Sequence, residues 1–215
     1  MSNNVEKLIY GAVNQPVLDI IPIDAKRILD LGCGNGALGR VLKRIRSVAV
    51  VGVTYFEDEA REAADLDQVI VGDLNNLDLT ELGQFDCIVC SHVLEHLYHP
   101  EQVLRRVRER LKPTGTLIIG LPNVLFWKQR LQFLLGRFRY TQGGLMDETH
   151  FRFYDWSTAV NLVRDSGYRV VAAKADGGFP LSRFIPFLGK RLDRVAVRNF
   201  PGLFGFQFVV VGTPE

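Results

Sequence analysis

The sequence has little of what would take it out of the ordinary intracellular class. Its three cysteines, Cys33, Cys87 and Cys90, cannot all pair, and no apolar leader run follows Met1. Both features point to a reducing compartment, the cytoplasm, and away from a disulfide framework. Long hydrophobic runs are missing too: those over 48–53, 117–120 and 208–212 are strand-sized. They fall far short of the roughly 20 residues that cross a bilayer. Charge of one sign is scarce, since 26 Lys and Arg against 24 Asp and Glu leave a formal net charge of +2. No basic stripe emerges, which argues against a nucleic-acid partner. There is no internal repeat and no linker. What remains is 215 residues, 47% hydrophobic and 23% charged. That is enough for one domain with a full core, spanning 1–215.

Along the first two-thirds, short apolar strands alternate with amphipathic helices. Strands are predicted over 27–31, 48–53, 68–71, 85–90 and 116–120, with 112–115 (KPTG) as a turn into the last. The run VAVVGV is nearly all apolar, as a strand buried on both faces should be. Over 37–45, Leu38, Val41, Leu42 and Ile45 recur at i, i+3, i+4 and i+7, one helical face. Further helices are predicted over 57–64 and 101–111. Asp155 reads as an N-cap for another, stopped at Gly167. Strands over 168–173 and 207–211 close the chain as a hairpin-like pair. The fold class is therefore α/β: a Rossmann-like, seven-stranded, mainly parallel sheet with helices on both faces. Two stretches break the rhythm, an aromatic and Arg-rich insert over 123–154 and an irregular segment over 176–204.

Asp30-Leu-Gly32-Cys33-Gly34-Asn-Gly36 falls between the first strand and the first helix. Glycines there let the backbone approach a ligand, and the helix start offers free N–H groups. A dinucleotide site would want G-x-G-x-x-G, a motif that tolerates Ala37, so spacing alone leaves a nicotinamide cofactor open.

The string ILDLGCGNGALG resembles motif I of the class I S-adenosylmethionine-dependent methyltransferases. The resemblance continues in order through VVGVTYF, VIVGDLN, FDCIVCSHVLEHL and LKPTGTLIIGLPN, covering roughly residues 25–125. It implies S-adenosylmethionine as cofactor, held around Asp30, Gly32, Cys33 and Gly34. Asp30 would lie near the methionine moiety. Thr54 and Tyr55 stand where strand two meets the ribose. Asp73 would meet the adenine amine and Leu74 would pack on the ring. Ser91 and His92 would line the pocket beside the sulfonium. One position departs from the family, which usually places Asp or Glu where this chain has Thr54. Either Glu57 reaches in, or ribose binding is weaker.

The insert, with its PN…W…RLQFLLGRFRY run, resembles a bacterial subgroup of small methyltransferases found with polysaccharide and O-antigen genes. It is also similar to the methionine-biosynthesis protein of the same fold. The ending LFGFQFVVVGTP matches the first group. What this implies is O-methylation of a sugar or sugar-containing acceptor. N-methylation of a small metabolite, and a cofactor-binding partner protein without transferase activity, are the alternatives.

Two short motifs mislead. His92-Val-Leu-Glu95-His96 matches the H-x-x-E-H of inverted zinc peptidases, but it follows a buried strand inside a complete methyltransferase pattern. No metal ligand is assigned, although a divalent-metal role for Glu95 or His96 stays open. Cys87-x-x-Cys90 lies on a strand, where residues three apart face opposite sides, so these are core cysteines.

A hydroxyl acceptor needs its proton taken, and imidazole is the side chain suited to this near neutrality. His150, on the insert, is the candidate general base and Asp147 its orienter. His96 is the rival. Lys128, Arg130, Arg137 and Arg139 over 127–140, with the basic segment over 179–198, would form a surface near the active-site mouth. Such a surface could contact a membrane peripherally, receive an anionic acceptor or make a dimer contact.

Overall fold

Strands that are apolar at every position can be buried on both faces, and the computed structural model places them so. It describes residues 13–178 and 189–215. The strands are β1 (Arg27–Leu31), β2 (Ala49–Thr54), β3 (Gln68–Val71), β4 (Phe85–Ser91), β5 (Leu111–Pro122), β6 (Tyr168–Gly177) and β7 (Gly205–Pro214). They form one seven-stranded sheet of order β3-β2-β1-β4-β5-β7-β6. The first five run parallel, and β7 is antiparallel to both β5 and β6. The helices are α1 (Gln15–Leu18), α2 (Ala37–Ile45), α3 (Glu57–Glu62), α4 (Pro100–Arg108), α5 (Trp127–Leu134), α6 (Trp156–Asp165), α7 (Gly189–Asn199) and α8 (Pro201–Phe204).

The pleat sorts alternate residues into two cores. Leu29, Leu31, Val51, Val53, Ile88 and Cys90 pack on one face of the sheet. Ile28, Val50, Cys87 and Val89 pack on the other. Cys87 and Cys90 thus lie on opposite faces, as strand geometry requires, and neither is bonded to another cysteine. Asp155 caps α6 with a reciprocal capping box to Thr158, the device its position in the sequence announced.

Three elements differ from expectation. Leu111 belongs to β5, not to the preceding helix: it is buried and pairs with Phe85, and the register shifts before Cys87. Lys112 stays in the strand as its ammonium pairs with Asp86 at 2.6 Å. The insert holds the helix α5, and the segment over 176–204 holds α7 and α8. Residues 179–188 of the expected basic surface lie outside the described residues.

Strand order reverses between β1 and β4, so the crevice at their carboxyl ends is the switch point at which such sheets bind ligands.

Candidate active site

The loop over 32–36 crosses that crevice. Gly32, Gly34 and Gly36 all have positive φ (73°, 51° and 76°), a conformation costly for other residues. Gly32 is exposed at the mouth. A Cβ on it would lie 2.7 Å from Val93, so the loop also needs glycine to pack against the β4 edge. The Cys33 thiol faces the core beside Gly52, where burial drives its pKa well up, so it is the backbone of Cys33 that the loop presents. Asp30 is 3% exposed, and burial raises its pKa to about 7.

At the end of β2, Thr54 is buried and its hydroxyl donates to the Glu59 carboxylate on α3. An acid thus lies five residues downstream of position 54 and is bonded to its hydroxyl. Glu57, the residue expected to reach in, instead pairs with Arg61 on the surface. Tyr55 is 65% exposed, with its ring edge on Phe56. Beyond β3, Asp73 accepts hydrogen bonds from the Asn75 backbone N–H at 2.9 Å and from the Asn75 side chain at 2.8 Å. Arg106 on α4 fixes this loop by donating to the carbonyls of Leu74, Asn75 and Leu77. Leu74, expected to pack on the adenine ring, has its side chain against the core and is 7% exposed.

At the β4 edge, Asn14 donates to Ser91 Oγ at 3.0 Å and to Gln207 Oε1 at 2.8 Å. His92 sits at φ 53°, the one non-glycine described residue in the left-handed region. Its Nε2 meets Gln207 Oε1 at 3.0 Å and its Nδ1 meets Glu95 Oε1 at 3.3 Å. Both partner atoms are acceptors, an arrangement that favours the protonated ring. Burial opposes that charge, but the bond to Glu95 and its charge outweigh it, and the His92 pKa is raised.

One turn further on, the insert closes over this edge. Phe151 and Arg152 both donate their backbone N–H to the Glu95 carbonyl, at 2.9 and 3.1 Å. This clamp brings the His150 ring to 4.7 Å from that of His96. The two base candidates are thus neighbours, while His99 lies on the exposed start of α4. Asp147 Oδ1 accepts from the Thr149 backbone at 2.8 Å and from the Thr149 hydroxyl at 2.7 Å. Thr149 in turn meets His96 Nδ1 with its hydroxyl at 3.0 Å and its carbonyl at 3.2 Å. Because that hydroxyl already donates to Asp147 and the carbonyl can only accept, it is His96 Nδ1 that donates to Thr149. The chain from Asp147 therefore leads to His96, and Asp147 acts on His150 by its charge. Burial lowers the His150 pKa, reinforced by His96 and opposed by Glu95, Asp147 and a backbone bond at Leu145.

Asn14, Glu59, Gln207 and Thr149 were not singled out by sequence. Gln207 had a signal, a polar residue between Phe206 and Phe208 in an apolar strand. Glu59 had a weaker one, an acid in the first turn of the helix after Thr54.

Sheet order and glycine loop together define a class I nucleotide-cofactor domain. The chain belongs to the methyltransferase-domain family, whose model, "Methyltransferase domain", matches residues 10–173. It is 36% identical over 102 residues to a mitochondrial ubiquinone biosynthesis O-methyltransferase of Schizosaccharomyces pombe, covering 44% of this chain and 37% of that one. It is 29% identical over 106 residues to the Acinetobacter baylyi ubiquinone biosynthesis O-methyltransferase, covering 46% and 44%. The chain thus spans less than half the length of these curated relatives. The relatives carry names from ubiquinone biosynthesis, not from polysaccharide assembly. Among solved structures, a methyltransferase from Mesorhizobium loti superposes with TM-score 0.65 at 20% identity, covering 95% of this chain and 99% of that one. One from Archaeoglobus fulgidus gives 0.64 at 17%, covering 99% and 94%. The cofactor of this family is S-adenosylmethionine, and the residues fit it. The loop is open at Gly32, Asp30 can meet a cationic amine, and Glu59 with Thr54 offers acceptors to a diol.

Glu59→Gln should therefore weaken S-adenosylhomocysteine binding by about 1.5–3 kcal/mol, the range for a hydrogen bond to a charged group. Thr54→Asp should weaken it too, because it sets a second carboxylate against Glu59. Tighter binding by the Thr54→Asp variant in calorimetric titration would show that Glu59 does not serve the ribose.

Proposed function

We infer that this chain is an O-methyltransferase whose acceptor hydroxyl is deprotonated at the His96–His150 pair. The observation that carries this reading is the pair itself: two imidazoles 4.7 Å apart at the carboxyl edge, one turn beyond the cofactor crevice. An amine acceptor would need only to be neutral and well placed, whereas a hydroxyl needs a group to receive its proton. The cofactor supplies the activated methyl group. The chain supplies alignment of the acceptor, exclusion of water by the clamped insert, and the basic nitrogen. Asp147 positions that nitrogen through Thr149.

The acceptor we propose is a hydroxyl carried on an amphiphile, a class that includes a lipid-linked sugar. On the insert, Leu131, Leu134, Leu135, Phe138 and Tyr140 are all exposed beside the exposed cations Lys128, Arg137 and Arg139. Apolar side chains flanked by cations suit a peripheral contact with anionic lipid. Among the described residues no helix is long and apolar enough to cross a membrane. The relatives named for ubiquinone biosynthesis favour a lipid-borne acceptor over a free nucleotide sugar. The test supplies labelled S-adenosylmethionine with hydroxylated lipids in anionic vesicles, and with free nucleotide sugars. Label is expected on lipid oxygen, with the protein sedimenting with vesicles at low salt. Label on the free sugars alone, without vesicle binding, would overturn the amphiphile.

A further inference from the structure

We propose that Glu95, His96 and His150 form a divalent-cation site. One carboxylate oxygen and one nitrogen from each ring lie within 4.8 Å of one another, the one such cluster among the described residues. Glu95 is 1% exposed and His150 is 9% exposed. Among the described residues, Glu95 Oε2 and His150 Nδ1 have no hydrogen-bond partner. Leaving such buried groups unsatisfied is costly, and a cation bound between them would satisfy both.

The surroundings are those of a ligand set. Ligating histidines commonly donate their other ring N–H to a carbonyl or carboxylate, which fixes the tautomer. His96 Nδ1 does this toward Thr149, leaving Nε2 for the cation. Glu95 Oε1 is held by His92, which leaves Oε2 free. Donors on bonds of about 2.1 Å lie roughly 3.4 Å apart in a tetrahedron, so the cluster must contract on binding. The insert, joined to the Glu95 turn by two backbone bonds, can follow. Two nitrogens and one oxygen suit Zn²⁺, Mn²⁺ or Fe²⁺ better than Ca²⁺. Three protein ligands leave coordination positions open; with the ring nitrogens then serving as ligands instead of bases, a hydroxyl bound there would lose its proton more readily, to water. That consequence rests on the transferase reading, but the site itself does not.

Protein stripped with a chelator should bind one equivalent of Zn²⁺ or Mn²⁺ in calorimetric titration. Glu95→Gln and His150→Ala should each weaken binding at least tenfold, and so should His96→Gln, at the least buried of the three. His99→Gln, at an exposed histidine outside the cluster, should bind as the parent does. Unchanged circular dichroism spectra in the cluster variants will show that the fold persists. Absence of saturable one-to-one binding, or equal affinity in parent and cluster variants, would overturn the site. Full methyl transfer by the stripped protein would overturn the cation's part in proton removal while leaving the transferase reading intact.

Discussion

Replacing His150 with glutamine should lower kcat by about 10²–10⁴-fold, the range for loss of a positioned base. S-adenosylhomocysteine should bind the variant as it binds the parent, because His150 lies beyond the cofactor loop, clamped to the Glu95 turn. The ring is buried and its pKa is pushed below the ordinary imidazole value, chiefly by burial. His150 is therefore neutral at pH 7 and charges only on the acid side of about 6.5. Parent activity should hold through neutrality and fall as pH drops below that point. His96→Gln should also be impaired, since its ring lies 4.7 Å from that of His150. Equal losses in kcat and kcat/KM would mark an interaction made in the transition state. Near-normal turnover in both variants would mean that the acceptor is an amine needing no base.

Asp30→Asn should stabilise the protein at alkaline pH while weakening its hold on cofactor. Burial raises the Asp30 carboxyl to about 7, well above its unfolded value of about 3.8. The folded state therefore binds this proton more tightly than the unfolded chain does. The associated stability is fully present below about 4 and is lost as pH rises toward about 7. Asparagine has no proton to lose, so the variant should gain on the parent through that window and level off above it. Melting temperatures at pH 5 and pH 8 should differ little in the variant and more in the parent. Affinity should drop by about 1.5–3 kcal/mol, the usual worth of a bond to a charged group. An identical gap between parent and variant at both pH values would show that Asp30 does not titrate in this range.

The central strands were legible because they are apolar at every position, and β1, α2 and β3 fall where their periodicity placed them. The glycine loop was legible because its chemistry is local: strand, turn and helix follow within a dozen residues. The rest was hidden for physical reasons. That the Leu74 and Cys33 side chains face the core depends on packing that spacing does not encode. Glu59 reaches Thr54 only because α3 begins where it does. The exposed face of α5 carries Leu131 and Leu134, so its apolar pattern does not follow a buried stripe. His96 and His150 are 54 positions apart in the chain. Their meeting depends on the backbone bonds of Phe151 and Arg152 to Glu95, which leave no trace in composition.

The central claim, that the crevice over the 32–36 loop takes S-adenosylmethionine, is tested most directly by thermal shift with four ligands. These are S-adenosylmethionine, S-adenosylhomocysteine, NAD and NADP, each titrated against the parent and Gly34→Val. A ligand that binds only the folded state raises the melting temperature, by an amount set by its concentration relative to its Kd. Concentration-dependent shifts are expected in the parent with the first two ligands alone, and should vanish in a folded Gly34→Val protein. A shift with NAD or NADP and none with S-adenosylhomocysteine, or undiminished shifts in the variant, would contradict the claim.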